Sequence, residues 1–448
     1  MARTLGQPPV GSGLKAVRGP RSNAMLQTIR MRHDLRGQAA KLRAVYGDLT
    51  YLKLFVLDTV YAQGPAAAEV VLTNWDRAYA NAPSWGFFMG PFFSRGLLTL
   101  DFDEHLGHKR ILQQAFTPTS LKGYMDRLVP RIEASVDQWA EPDSVRIYEL
   151  FKKLTLDVAL EVFVGVELDD AEEARINRAF IDSVRATSAL VRKPIPGFRW
   201  KKGLAARKVL EDFFRGRIPE TRRDGGTDLF AVMCGLETED GAKFSDDDIV
   251  NHMIFVLMAA HDTSTQTLAT MAYYLAKNPE WQEKVRQESI DLGPHLAYDR
   301  LSGLECLDWC MKESLRLCAP VPGMPRMTVR DTELLGHHIP KGTTVIVPTY
   351  TNHYIDEYWP DPTAFDPGRF SPERRDDKIH RMAWAPFGGG VHKCIGLYFG
   401  GMEVKTIFHT LLQRFEWSGP RDYEWPLDIS SMPLPKDGLP VTLRRIGR

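Results

Sequence analysis

A mainly helical fold with a smaller β region, an α+β arrangement, is what this chain of 448 residues predicts. Two apolar helical patterns carry most of that prediction. One runs from Ser245 to Asn278, roughly 45 Å at 1.5 Å per residue, and the other from Leu397 to Phe415. The β part rests on two stretches rich in β-branched and aromatic residues, Tyr51–Tyr61 and Ile339–Val347, set off by Gly64-Pro65 and by Gly336.

Taken in order, Met1–Ala24 is rich in Gly, Pro, Arg and Ser and has no apolar segment, so it is not a secretory signal. It reads as a flexible N-terminal leader. Residues 25–448 read as one domain, because no linker, repeat or low-complexity block divides them. Met25–Val45 is a basic helix former, Tyr51–Tyr61 suits strands, and Ala66–Leu72 is a short helix. Trp85–Phe93 (WGFFMGPFF) reads as an aromatic loop, serving either as core packing or as the wall of an apolar cavity. Asp103–Phe116 is helical and carries His105, His108, Lys109 and Arg110. Residues 125–235 are largely helical with breaks. Among them Leu190–Lys202 mixes apolar residues with cations, which fits an entry lid, a weak membrane-surface contact or an inward-packed loop.

Ser245 followed by Asp246, Asp247 and Asp248 is a strong helix start, with a hydroxyl cap and carboxylates in the positive first turn. Asn278-Pro279 ends the pattern. In its middle His261-Asp262-Thr263-Ser264 interrupts the apolar run, and burying such groups is costly unless they are bonded or useful. A further helix covers Leu304–Leu317, and the Pro-rich Ala319–Arg326 is extended. Gly336 and Ile339–Val347 read as a hairpin. Ile429–Pro435 is a turn, returning through a strand at Gly438–Leu443.

Composition excludes several classes. Lys+Arg and Asp+Glu both total 57, so bulk charge points to neither nucleic acid nor anionic surfaces. Cys234, Cys306, Cys310, Cys318 and Cys394 form no CxxC pair. Cys306 and Cys310, four apart on a helix, read as core thiols, and reduced cysteines point to the cytoplasm. The longest apolar run, Met253–Ala260, is far short of the roughly 18 to 20 residues that span a bilayer.

The chemistry concentrates in Phe387-Gly-Gly-Gly-Val-His-Lys-Cys394-Ile-Gly396. Three glycines make a loop that can take positive φ and lie against a broad flat ligand. The thiol precedes a helix start, where unpaired N–H groups favour its anion. A thiolate-ligated haem fits this pattern best, a buried structural cysteine being the alternative.

The spacing Phe387-x-x-Gly390-x-x-x-Cys394-x-Gly396 resembles the haem-binding loop of the cytochrome P450 family. Three further motifs in the right order extend the likeness over residues 25 to 445. Ala259-Ala260-His261-Asp262-Thr263 resembles the oxygen-activation motif, with Ala260 where Gly is usual. Glu313-x-x-Arg316 lies 81 residues before Cys394, and Asp366-Pro-Gly-Arg369-Phe370 supplies the second arginine of a structural lock. His105 stands four residues before Lys109, where the family has a Trp or His before an Arg.

That resemblance implies a P450 fold: a single triangular helical domain holding haem b between the long helix and the Cys-loop helix. Cys394 is then the iron ligand. Phe387, Gly388 and Gly396 shape its loop, and His105, Lys109, Arg326 and His392 face the propionates, with Arg110 sharing that role. Asp262 and Thr263 become the proton relay. Trp85, Phe87, Phe88, Phe92, Ala259 and Met432 line an apolar substrate pocket. The implied reaction puts one atom of O2 into a C–H bond of a steroid, terpenoid or fatty-acid-like molecule. With no flavin or iron–sulfur motif in the chain, electrons come from a separate ferredoxin and its NAD(P)H-dependent reductase. A cytoplasmic monomer is expected, with no transmembrane anchor and no nucleic-acid partner. The wording after Cys394 resembles sterol-demethylase-like bacterial members. A peroxide-using peroxygenase, disfavoured by the acid–threonine pair, and a haem sensor are the other readings.

Overall fold

The computed structural model describes residues 3–54, 56–140, 144–165, 170–189, 191–237, 241, 243–429 and 432–446. The chain gathers into two compact units. The first is Met1–Trp85 with Lys312–Cys394 and Leu427–Leu434; the second is Gly86–Met311 with Ile395–Pro426 and Pro435–Arg448.

The first unit holds the β region. Five strands run in the order Leu49–Leu54, Leu57–Ala62, Thr344–Val347, Met324–Thr328 and Tyr79–Ala80. Leu57–Ala62 and Thr344–Val347 are parallel, and the other pairs are antiparallel. The single strand-like stretch Tyr51–Tyr61 is thus two strands in register from Leu49↔Ala62 to Leu54↔Leu57. Val60, Val345 and Val347 point into a core with Val71, Leu72 and Leu334, a set of β-branched and aliphatic side chains suited to a pleated buried face.

Two expectations need correcting here. Met1–Ala24 is read as a flexible leader, yet Arg3–Leu5 pairs with Lys15–Gly19, and Lys15–Gly19 runs parallel to His337–Ile339. Val17 is fully buried and Leu5 nearly so. Two strands of three and five residues, each pinned by one buried apolar side chain, are too short to announce themselves among Gly, Pro and Arg. The hairpin also lies elsewhere: Thr332–Leu334 pairs with His337–Ile339 around Leu335-Gly336, while Thr344–Val347 belongs to the five-stranded sheet.

Met25–Val45 becomes two helices, Ala24–His33 and Leu35–Tyr46. Asp34 separates them, its carboxylate accepting from the Gly37 amide at 2.9 Å as a new N-cap.

The second unit is helical. Its central member is the 32-residue helix Asp246–Lys277, capped at Ser245, whose hydroxyl accepts from Asp248 N at 3.1 Å. Ile147–Val164, Arg199–Asp224 and Leu397–Arg414 pack against it, Pro118–Asp137 packs on the first and last of these, and Asp170–Thr187 packs on Arg199–Asp224. No helix among the described residues is long and apolar enough to cross a membrane.

Removing residues 1–19 should cost about 3 kcal/mol or more, since burying one aliphatic side chain is worth roughly 1.5–3 kcal/mol. A shift in the denaturation midpoint of the shortened chain checks this; an unchanged midpoint returns the segment to the status of a loose leader.

Candidate active site

The thiol-bearing loop belongs to the first unit. Trp384 anchors its approach, donating from Nε1 to the Lys312 carbonyl at 3.2 Å, with its ring edge-on to Phe370 and Phe387. Gly388 and Gly390 take φ of +71° and +60°. A Cβ on Gly390 would stand 2.2 Å from the Leu72 carbonyl oxygen, so no other residue fits there. The Cys394 amide then donates to the Phe387 carbonyl at 2.9 Å and closes the loop.

Cys394 is the exposed member of the five cysteines, while Cys310 and Cys318 are buried. Burial pushes the Cys234 thiol up to about 12 and raises Cys306 as well. Those two are poor sources of thiolate, and Cys394 alone of the five is both exposed and set in a glycine loop. Beside it, the Asn81 side-chain amide donates to His392 Nδ1 at 2.9 Å, which leaves the ring proton of neutral His392 on Nε2. Arg326 is buried on the strand Met324–Thr328.

Behind the loop lies the lock. Arg316 forks onto Glu313 through Nε at 2.7 Å and Nη2 at 2.8 Å, and both side chains are fully buried. The Asp366 amide donates to Glu313 at 2.9 Å, and Arg369 Nε lies 3.5 Å from the same carboxylate. The remaining Arg316 donors meet the carbonyls of His353, Pro362 and Ala364 at 2.9, 2.8 and 3.0 Å. Burial pushes the Glu313 carboxyl up against the opposing pull of Arg316, the Asp366 amide and Arg369.

Sequence reasoning missed His353. Its Nδ1 donates to the Arg316 carbonyl at 3.1 Å and its Nε2 accepts from the Ala385 amide at 3.3 Å. It therefore ties the lock to the segment entering the thiol loop. Burial holds it neutral, with its pKa lowered to about 3. A lone His among Thr, Asn and Tyr in Thr349–Tyr354 carries no signal of that role.

In the second unit, the polar interruption of the long helix stays helical. Thr263, Thr265 and Thr267 each bond back to the carbonyl four residues earlier, at 2.7, 2.8 and 2.8 Å. Half-buried Ala259 supplies the acceptor for Thr263. His261 is buried and donates from Nε2 to the Lys152 carbonyl at 3.0 Å. Its Nδ1 lies 3.0 Å from Asp262 Oδ1, yet neither Nδ1 nor Asp262 Oδ2 completes a hydrogen bond among the described residues. Proximity without alignment leaves two buried polar atoms unsatisfied at one helical turn, a costly arrangement that function or ordered water must offset. His261 thus reaches toward the acid. Next to them the Ser264 hydroxyl donates to Glu403 at 2.5 Å. Burial pushes that carboxyl up to about 8.

The helix Phe102–Gln113 presents His105 buried, Lys109 half-buried and Arg110 exposed. His108 instead meets His252 of the long helix, Nδ1 to Nε2 at 2.8 Å.

The aromatic segment corrects a further expectation. It is no loop: Ala82–Met89 is an α-helix and Gly90–Phe92 a 3-10 turn. Eight residues with a Pro and a Gly hide a helix from propensity. Trp85 and Phe87 are half-buried and Phe88 is exposed, but Phe92 is fully buried, edge-on to Trp200 at 4.8 Å. Buried Arg207 donates to the Phe92 carbonyl at 2.9 Å. Phe92 is a packing residue in this unit. Met432 is half-buried; Ser430 and Ser431 of the same turn, and Leu190 of the Leu190–Lys202 stretch, lie outside the described residues.

The family model described as cytochrome P450 matches residues 18–441. This chain belongs to the cytochrome P450 family. The protein named cytochrome P450 136 from Mycobacterium tuberculosis is 47% identical to this P450 over 454 residues, covering 99% of this chain and 91% of the relative. A sterol 14alpha-demethylase from Mycolicibacterium vanbaalenii is 28% identical, covering 86% and 87% of the two chains. Among solved structures, the retinoic acid-bound cyanobacterial CYP120A1 superposes with a TM-score of 0.83 at 25% identity, covering 94% of this chain and 96% of that one. This P450 therefore has the α+β fold of its family, uses thiolate-ligated haem b, and is a monooxygenase that takes O2, a substrate and electrons from a redox partner.

Two outcomes follow from the buried charges. Glu313→Ala leaves Arg316 buried without its carboxylate, which should cost roughly 3–5 kcal/mol; normal melting and haem content would remove the lock. The pH dependence has two limbs. Glu403 has a folded pKa of about 8 against 4.5 ordinarily. Its contribution is fully present below 4.5 and is lost as pH rises toward 8, at about 1.4 kcal/mol per pH unit. His353 acts oppositely: folded at about 3 against 6.5, it stabilises above 6.5, and that is lost as pH falls toward 3. Denaturation midpoints between pH 5 and 8.5 should show the alkaline loss in the parent and not in Glu403→Gln.

Proposed function

We propose that this P450 oxidises an apolar isoprenoid-type molecule, a steroid or terpenoid, with Cys394 as the iron ligand and Asp262 and Thr263 as the proton-handling pair. The observation that carries the reading is the thiol loop itself. An accessible Cys394 sits at the end of a glycine turn packed too tightly for any side chain at Gly390, which suits a flat macrocycle lying against backbone. The unsatisfied His261 Nδ1 and Asp262 Oδ2 are what a site holding ordered water and moving protons would keep. The bound haem supplies redox chemistry at iron, with thiolate donation favouring O–O cleavage.

The chain's own residues then bind, orient and move protons. Thr263, held against the Ala259 carbonyl at 2.7 Å, offers a hydroxyl fixed in direction. Asp262 hands protons toward it through water. Arg326, His392, His105 and Lys109 would hold the propionates; the last would give a point charge where an arginine would give a fork. Phe387, Gly388 and Gly396 shape the loop. Glu313, Arg316 and Arg369 hold it without touching the reaction. Trp85, Phe87, Phe88 and Met432 offer apolar contact to substrate, whereas Phe92 is buried against Trp200.

 Ala259 itself, half-buried on the long helix, adds a methyl to that apolar surface.

The substrate class is supported by the relatives: one is named for a sterol and one solved structure holds retinoic acid. A ferredoxin with its reductase is the electron source in this reading, with exposed Lys393 as one cation for an acidic partner. The five free cysteines suit the cytoplasm as its compartment.

Two measurements test the reading. Cys394→Ser should abolish the thiolate-type absorption of the reduced carbonyl complex, and an unchanged spectrum would refute the ligand. A screen of sterols, terpenoids and fatty acids by the haem spin-state shift should favour the first two. A response confined to fatty acids would overturn the substrate class and leave the ligand standing.

A further inference from the structure

His261 is enclosed in the second unit, with its ring edge-on to Phe180 at 5.5 Å. Its Nε2 faces the Lys152 carbonyl at 3.0 Å. A carbonyl oxygen only accepts, so Nε2 must carry a proton in either charge state of the ring. The neutral ring therefore has a bare lone pair on Nδ1, and that atom stands 3.0 Å from Asp262 Oδ1.

A bare Nδ1 facing a carboxylate puts two acceptors at hydrogen-bond distance with nothing between them, a repulsion that burial strengthens. One proton, on Nδ1 or on Oδ1, turns the same contact attractive and leaves the pair without net charge. A second proton would leave a buried cation uncompensated. Among the described residues His261 is the one ion-pair partner of Asp262. Tyr148, on the helix that also carries Lys152, feels the acid too. Burial, with the Asp262 charge adding to it, pushes the Tyr148 hydroxyl up, so it keeps its own proton. The Lys152 ammonium lies over the Tyr148 ring at 5.8 Å, and Asp157 of the same helix faces Arg131 at 4.0 Å. Nδ1 and Asp262 Oδ2 complete no hydrogen bond among the described residues. A proton between ring and acid is thus held without being locked, and Oδ2 keeps capacity to pass one on.

We propose that His261 is a positioning residue for Asp262, fixed by the Lys152 carbonyl so that the two side chains together store one exchangeable proton beside Thr263. This rests on Asp262 and Thr263 as the proton-handling pair. When the acid passes one proton on through water, a carboxylate is left facing bare Nδ1, and one proton taken up from solvent restores the pair.

The test begins with spectroscopy of the full-length haem-loaded protein in its diamagnetic reduced carbonyl complex. Nitrogen NMR of the ring, assigned to His261 by its loss in His261→Gln, should show Nε2 protonated. Nδ1 and the Asp262 carboxyl, the latter read by infrared difference against Asp262→Asn, should hold one proton between them at neutral pH. A bare Nε2, or a count of none or two, would overturn the proposal.

Two variants then separate positioning from packing. In His261→Gln the amide stands where Nε2 was and keeps the Lys152 tie. In His261→Asn it stands where Nδ1 was and keeps a donor toward Asp262, while the Lys152 carbonyl still has Thr155 Oγ1 at 3.4 Å. With ferredoxin, reductase, NADH and retinoic acid as the probe, the share of NADH not lost as hydrogen peroxide should fall about tenfold in His261→Gln, short of the roughly 10²–10⁴ that a general acid or base contributes. It should fall less in His261→Asn. Coupling in His261→Gln equal to the parent, or His261→Asn worse than His261→Gln, would overturn the proposal and leave Asp262 in its role. Unchanged peroxide release by Asp262→Asn would instead remove the acid from proton handling, and this inference with it.

Discussion

The fork of Arg316 on Glu313 is the constraint on which the first unit depends. Two opposite charges without solvent contact are tolerable only when every remaining donor and acceptor is used. Here the carbonyls of His353, Pro362 and Ala364 and the Asp366 amide use them, and Arg369 adds a second positive charge 3.5 Å from the carboxylate. The consequence is positional. The irregular chain between residues 353 and 385 has little regular structure to fix it, and the guanidinium gathers its carbonyls to one point. His353 passes that order on to Ala385, and Trp384 adds a tie to Lys312. The thiol loop thus starts from an anchored residue, which a loop that must present one sulfur in one direction requires.

The second unit handles burial differently. Its long helix accepts threonines and serine in its middle by turning their hydroxyls onto its own carbonyls or onto Glu403. His261 Nδ1 and Asp262 Oδ2 are among the buried atoms that complete no hydrogen bond among the described residues. Neutral Glu403 can stay buried because a protonated acid costs far less than an ion in the same place. The hydroxyls of Thr263, Ser264, Thr265 and Thr267 are thus spent on architecture, while His261 and Asp262 retain hydrogen-bonding capacity.

Surface charge follows the same logic. Arg215, Arg217 and Arg222 are matched to acids of the long helix or of Asp170–Thr187, and Arg207, Lys208 and Arg223 to acids of their own helix, while Arg199, Lys201 and Lys202 have no ion pair among the described residues. An uneven distribution on one helix is more informative than a net charge of zero for the chain.

The sequence by itself determined the elements with strong local signals. Ser245 and three aspartates set the start of the long helix, the glycine run and Cys394 set the thiol loop, and prolines kept Ala319–Arg326 extended. Each is decided by the conformational limits of a few adjacent residues. Only the tertiary structure decided the rest. The strand Lys15–Gly19 exists because a partner over three hundred residues away, His337–Ile339, completes its ladder, and Arg3–Leu5 pairs onto its other edge. Phe92 became core because Trp200 and Arg207 close over it, and His353 became a tie because Arg316 and Ala385 flank it. Such roles belong to pairs of distant residues, and no short window of sequence contains both members.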